Sequence, residues 1–91
     1  MSNNEKLKEI LALILKIDVR DINDSTSFDV IDSWDSMNHM SIILSIEEEF
    51  NIKISDEAAL DLTSYPLLLK LLKLWGIFSF YKIANIVFMW M

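Results

Sequence analysis

Ser33-Trp34-Asp35-Ser36-Met37-Asn38-His39-Met40-Ser41-Ile42-Ile43-Leu44-Ser45-Ile46-Glu47-Glu48-Glu49-Phe50 decides the fold of this chain. After Ser36, apolar residues recur at helical spacing, with one stripe at His39, Ile43, Ile46 and Phe50 and a neighbouring one at Met37, Met40 and Leu44. This predicts a helix over residues 36–50. Asp35-Ser36 stands where an irregular acidic stretch meets that helix, a position where both residue types serve as caps. A serine hydroxyl there lies beside unpaired backbone N–H groups and the positive end of the helix dipole, which suits it to carry a phosphate. The helix is apolar over most of its circumference, so neighbours should largely bury it, while Glu47-Glu48-Glu49 must keep acidic groups in water.

Upstream, Leu7, Ile10, Leu11, Ile14 and Leu15 alternate with Lys6, Lys8, Glu9 and Lys16 in the pattern of an amphipathic helix, and Ser2 with Glu5 suits a capping box. From about Ile17 to Asp35 the periodicity fails and Asp, Asn, Ser and Thr accumulate. A long loop is expected, with Val19, Ile22, Phe28 and Ile31 plugging the core. Downstream, Ser55 should cap a short helix ending near Leu62, with Asp56 and Glu57 in its first turn. Thr63 or Ser64 should cap a fourth helix that accepts Pro66 in its first turn and turns Lys70 and Lys73 outward. The expected core includes Met40, Ile43, Leu44, Ile46, Ile54, Ala59, Leu62 and Leu68.

Composition narrows the function. Ninety-one residues, 53% of them hydrophobic, suit one small domain with a modest core. The chain has no cysteine, so any thiol it uses must arrive on a prosthetic group. A lone His39 and a lone Gly76 exclude most metal constellations and glycine-rich phosphate loops, and with them a self-sufficient enzyme. Between Asp18 and Asp61 twelve acidic residues face only Arg20 and Lys53, so partners should carry basic patches and nucleic acid is disfavoured. The polar N-terminus lacks the build of a signal peptide, and cytoplasmic residence is the expectation.

The order of these features, Asp35-Ser36-Met37 opening a helix, Glu47-Glu48-Glu49-Phe50 closing it and Asn51-Ile52-Lys53-Ile54-Ser55-Asp56-Glu57 following, resembles the acyl carrier protein family over roughly residues 5–72. The resemblance implies an all-α, four-helix bundle with three longer helices and a short third one over residues 1–75, and an apolar C-terminal extension over residues 76–91. It implies that Ser36 receives 4'-phosphopantetheine from coenzyme A through a separate phosphopantetheinyl transferase and a divalent cation. The chain would then carry thioester-linked acyl groups without catalysing anything itself. Asp35 matches the residue implicated in the transferase encounter and its metal contacts. Met37, Glu47 and Glu48 match positions that meet basic surfaces on acyl-loading and acyl-transferring enzymes. Asn38 and Ser41 stand where fatty-acid carriers usually place acids, and Ser33-Trp34 replaces a glycine-containing lead-in. That wording is closer to carriers of specialised lipid, polysaccharide or secondary-metabolite pathways.

Other readings compete at three places. Asp35, Ser36 and His39 could be drawn as a hydrolase triad, but no other feature supplies an oxyanion site or a pocket with a fixed base. An unmodified acidic interaction or membrane-adaptor module would keep the same fold. The segment Trp75 to Met91 carries only Lys82 as a charge and suits a helix or a strand equally; it could cover the core, pair with a second copy, or lie against a membrane.

Overall fold

The computed structural model describes residues 2–74. They form four helices, α1 (Asn3–Leu15), α2 (Ser36–Phe50), α3 (Asp56–Asp61) and α4 over residues 65–74, with a 3-10 turn at Val19–Asp21. The expected all-α bundle with a short third helix is therefore the observed fold. Among the described residues no helix is long and apolar enough to cross a membrane. The expected extension over residues 76–91 lies outside the described residues.

Each helix begins at a side-chain cap. Ser2 Oγ accepts the Glu5 amide at 3.2 Å, Asp35 Oδ1 the Asn38 amide at 2.8 Å, Ser55 Oγ the Ala58 amide at 3.1 Å and Ser64 Oγ the Leu67 amide at 3.3 Å. α1 turns Leu7, Leu11 and Leu15 inward at four-residue spacing, and α4 adds Leu68 and Leu72, with Lys70 and Lys73 exposed. α1 and α2 stop at Lys16 and Asn51, both in the left-handed conformation with φ of 58° and 52°. Their amides return to Ala12 O and Glu47 O and close the last turns.

The long loop is stitched down by backbone bonds. The Phe28 amide donates to Thr63 O and the Tyr65 amide to Thr26 O, both at 2.9 Å, which ties the loop to the α3–α4 connection. Of the four expected plugs, Ile22 is fully buried and Ile31 half-buried, whereas Val19 and Phe28 stay exposed. The hidden loop residues are instead Ile22, Thr26 and Trp34. Thr26 is tolerated inside because its Oγ1 accepts the Asn23 amide at 2.9 Å. At the far side, the Tyr65 hydroxyl pairs with the Asn4 side-chain oxygen. Burial, reinforced by the charge of Asp24, pushes this phenol above its ordinary range.

α2 departs from expectation on one face. His39, Ile42, Ile43 and Ile46 are buried, but Met37, Met40 and Leu44 are exposed, so Met40 and Leu44 do not belong to the core and Ile42 does. α2 packs against α1, and a helix covered on one side leaves the apolar residues of its other face to solvent.

Candidate functional site

The site is built where the loop becomes α2. Asp35 is extended, with φ −107° and ψ −177°; its side chain caps the Asn38 amide and its carbonyl accepts the His39 amide at 2.8 Å. Ser36, the first helical residue, is exposed. The amides of Ser36 and Met37 have no hydrogen-bond partner among the described residues, as expected of a helix start. An exposed hydroxyl beside two open N–H groups at the positive end of a fifteen-residue helix fits a phosphodiester in both charge and access.

The unusual lead-in is held from below. Ser33 Oγ donates to Leu15 O at 2.7 Å, satisfying a carbonyl at the end of α1, and Asn38 Nδ2 donates to Ser33 O at 2.7 Å. Ser33 and Asn38 thus lock the turn before Ser36 onto α1. Trp34 is 2% exposed, and its indole N–H donates to His39 Nδ1 at 3.1 Å. The other ring nitrogen of His39 donates to Ala59 O on α3 at 2.7 Å. An indole N–H can only donate and a carbonyl can only accept, so the ring holds its proton on Nε2. The Trp34 and His39 rings stack at 6.1 Å and 28°, and Phe28 meets His39 edge-on at 6.4 Å. With both nitrogens committed, His39 has none left to take a proton from Ser36, and the triad drawn from the sequence does not assemble.

A small apolar cavity of about 280 Å³ opens at Ser36, lined by Phe28, Ser36, His39, Met40, Leu60 and Thr63. Another of about 310 Å³ is lined by His39, Met40, Asp56, Ala59 and Leu60. Phe28, Leu60 and the Ala59 carbonyl were not foreseen as parts of this region. Only the apolarity of Phe28 and Leu60 signalled them, since a carbonyl partner twenty residues away from its imidazole has no sequence mark.

The residues expected to meet partners lie at both ends of α2. Met37 is 82% exposed beside Ser36, while Glu47 and Glu48 stand about 15 Å away along the axis. The two acids differ. Glu48 is exposed, but Glu47 is half-buried and its Oε2 accepts the Ile54 amide at 2.9 Å, pinning the α2–α3 connection. Glu47→Ala is therefore expected to destabilise by about 1.5–3 kcal/mol, the range for a hydrogen bond to a charged group. Glu48→Ala should stay within about 0.5 kcal/mol of the parent. Urea unfolding of the two variants checks both, and equal midpoints would remove the structural role of Glu47.

Comparison with known proteins points the same way. The family model described as phosphopantetheine attachment site matches residues 5–72. An acyl carrier protein of Buchnera aphidicola subsp. Schizaphis graminum is 47% identical over 60 residues, covering 65% of this chain and 76% of that protein. An acyl carrier protein of Solidesulfovibrio magneticus is 39% identical over 59 residues, again 65% of this chain and 76% of the relative. With a capped, exposed serine opening its second helix and a family match that spans all four helices nearly to their end, the chain belongs to the acyl carrier protein family.

Proposed function

We propose that Ser36 is the residue through which this carrier bears its 4'-phosphopantetheine, esterified at Oγ by a separate transferase with coenzyme A as donor. The observation that carries this reading is the exposed Ser36 hydroxyl at the first position of α2, inside the matched segment. When bound, the group supplies the thiol on which acyl cargo rides. The chain's own residues do the rest. Asp35 fixes the helix start and would offer a carboxylate to the transferase and its divalent cation, while the open amides of Ser36 and Met37 would be available to the phosphate. Residues 1–75 are the working carrier domain, with 76–91 as an extension of it. The carrier delivers cargo in the cytoplasm to enzymes of fatty-acid or more specialised lipid assembly, and it performs no catalysis itself.

Partners engage α2 through Met37 near the serine and through Glu47 and Glu48 at its far end. Opposite charge on their surfaces speeds encounter, so raising salt should lower the association rate and leave dissociation nearly unchanged. Stopped-flow binding to a transferase at two ionic strengths reads this directly, and a salt-independent rate would remove steering.

The reading is tested by intact mass after incubation with coenzyme A, Mg²⁺ and a phosphopantetheinyl transferase. The expected result is a single phosphopantetheinyl increment. A folded chain that gains nothing with two transferases of different specificity would overturn attachment.

A further inference from the structure

The geometry points to α4 as a face that rests on an anionic lipid surface, with Leu67, Leu71 and Leu74 entering the headgroup region and Lys70 and Lys73 meeting lipid phosphates. The inference goes beyond the carrier reading and holds whichever residue bears the cofactor. Over residues 65–74 the helix buries Tyr65, Leu68 and Leu72. On the side turned away from them, Leu67 and Leu74 are 43% and 51% exposed. Leu71 is half-buried at their edge, and Lys70 and Lys73 stand exposed alongside. Leucines at four- and three-residue spacing, flanked by lysines, form a short amphipathic face of the kind that lies in a membrane interface. Each lysine stem can run along apolar surface there and lift its ammonium to the phosphates.

Charge decides the occupant. All fourteen acidic residues of the chain lie at or before Asp61, whereas the thirty residues from Leu62 to Met91 hold Lys70, Lys73 and Lys82 and no acidic side chain. Enzymes with basic surfaces, which suit the acids of α2, would be repelled by α4. A second copy laid face to face would bring lysines against lysines. Anionic lipid matches both the apolar and the charged part of the face. The net charge of −6 does not oppose this at physiological ionic strength, because acids farther than about 8 Å from the lipid are largely screened. The chain also continues past Leu74 into Trp75 to Met91, seventeen largely apolar residues with Lys82 as their one charge, which lengthens the apolar stretch beyond the helix face. A carrier held this way concentrates its cargo at a lipid surface.

The test is flotation of the full-length chain with vesicles of equal phosphatidylglycerol and phosphatidylcholine, beside vesicles of phosphatidylcholine alone. The parent should partition onto the anionic vesicles and much less onto the neutral ones. Lys70→Gln with Lys73→Gln should lower partitioning onto the anionic vesicles by about fivefold for each lysine, about thirtyfold together, and leave the neutral vesicles as they were. Leu67→Ser with Leu74→Ser should lower partitioning onto both. All four side chains are exposed, so the variants should melt with the parent. A parent that stays out of the vesicle fraction, or binds neutral and anionic vesicles alike, would overturn the proposal. Parent-like binding by the double lysine variant would also overturn it, by moving the contact to residues 75–91. So would a parent that sediments as a dimer, turns monomeric with Leu67→Ser and Leu74→Ser, and ignores the vesicles, because the face would then join two copies of the chain.

Discussion

Ser36→Ala is expected to abolish phosphopantetheine attachment outright while leaving the bundle as stable as the parent. On the assignment proposed above, attachment depends on the Ser36 oxygen, and the serine hydroxyls nearest to it in sequence are already committed. Ser33 Oγ is tied to Leu15 O at 2.7 Å and Ser41 Oγ to Met37 O at 3.2 Å. Stability, by contrast, does not depend on Ser36, because the cap of α2 is Asp35 and Ser36 is exposed. Alanine is a good residue in a first turn, so unfolding free energy should move by less than about 0.5 kcal/mol. Asp35→Ala behaves differently, losing the cap and about 0.5–2 kcal/mol with it, while keeping the nucleophilic oxygen. Intact mass and thermal melts on the two variants separate loss of chemistry from loss of structure. A Ser36→Ala chain that still gained a phosphopantetheinyl group would place the attachment at another hydroxyl.

Trp34→Ala should be the most damaging single change to the fold. Its side chain is fully enclosed, and deletion of a buried tryptophan costs about 3–5 kcal/mol in transfer and cavity terms. The change also removes the donor to His39 Nδ1 and the ring stacked on that imidazole. For a domain of this size each kcal/mol lowers the melting temperature by about 4–8 °C, so a drop of roughly 12–40 °C is expected. That is a large share of the total stability, about 5–15 kcal/mol, of a typical small domain. Trp34→Phe keeps most of the volume but leaves the imidazole unpaired at Nδ1, and should fall between the two at about 1–3 kcal/mol. A Trp34→Ala melt within a few degrees of the parent would contradict its burial in the core.

How far these features could be read in advance depended on whether they were local. Helix periods and caps are local, and Ser2, Asp35, Ser55 and Ser64 all open helices as their chemistry suggests. The acyl-carrier order of the chain and the exposed serine at the head of α2 were legible for the same reason. The loop was not, because residues without a period are sorted inside or outside by what lies across from them. Thr26 goes in because Asn23 pairs with it and the Tyr65 amide needs its carbonyl, while Phe28 stays at the rim against His39. On α2 the apolar residues run nearly all round, so the sequence could not say that Ile42 faces inward while Met40 and Leu44 face water. The sequence placed His39 on an apolar stripe of α2; its link to Ala59 depends on the docking of α3, which no spacing encodes.

The left-handed stops of α1 and α2 have one further consequence. Neither is glycine, although for most residues this backbone region costs about 1–2 kcal/mol, and Lys16 has no short polar side chain to relieve it. The domain is thus held below the stability its own backbone could reach. A glycine at residue 16 would provide spare tolerance, letting the carrier accept costly changes around His39 and Trp34 that would otherwise unfold it.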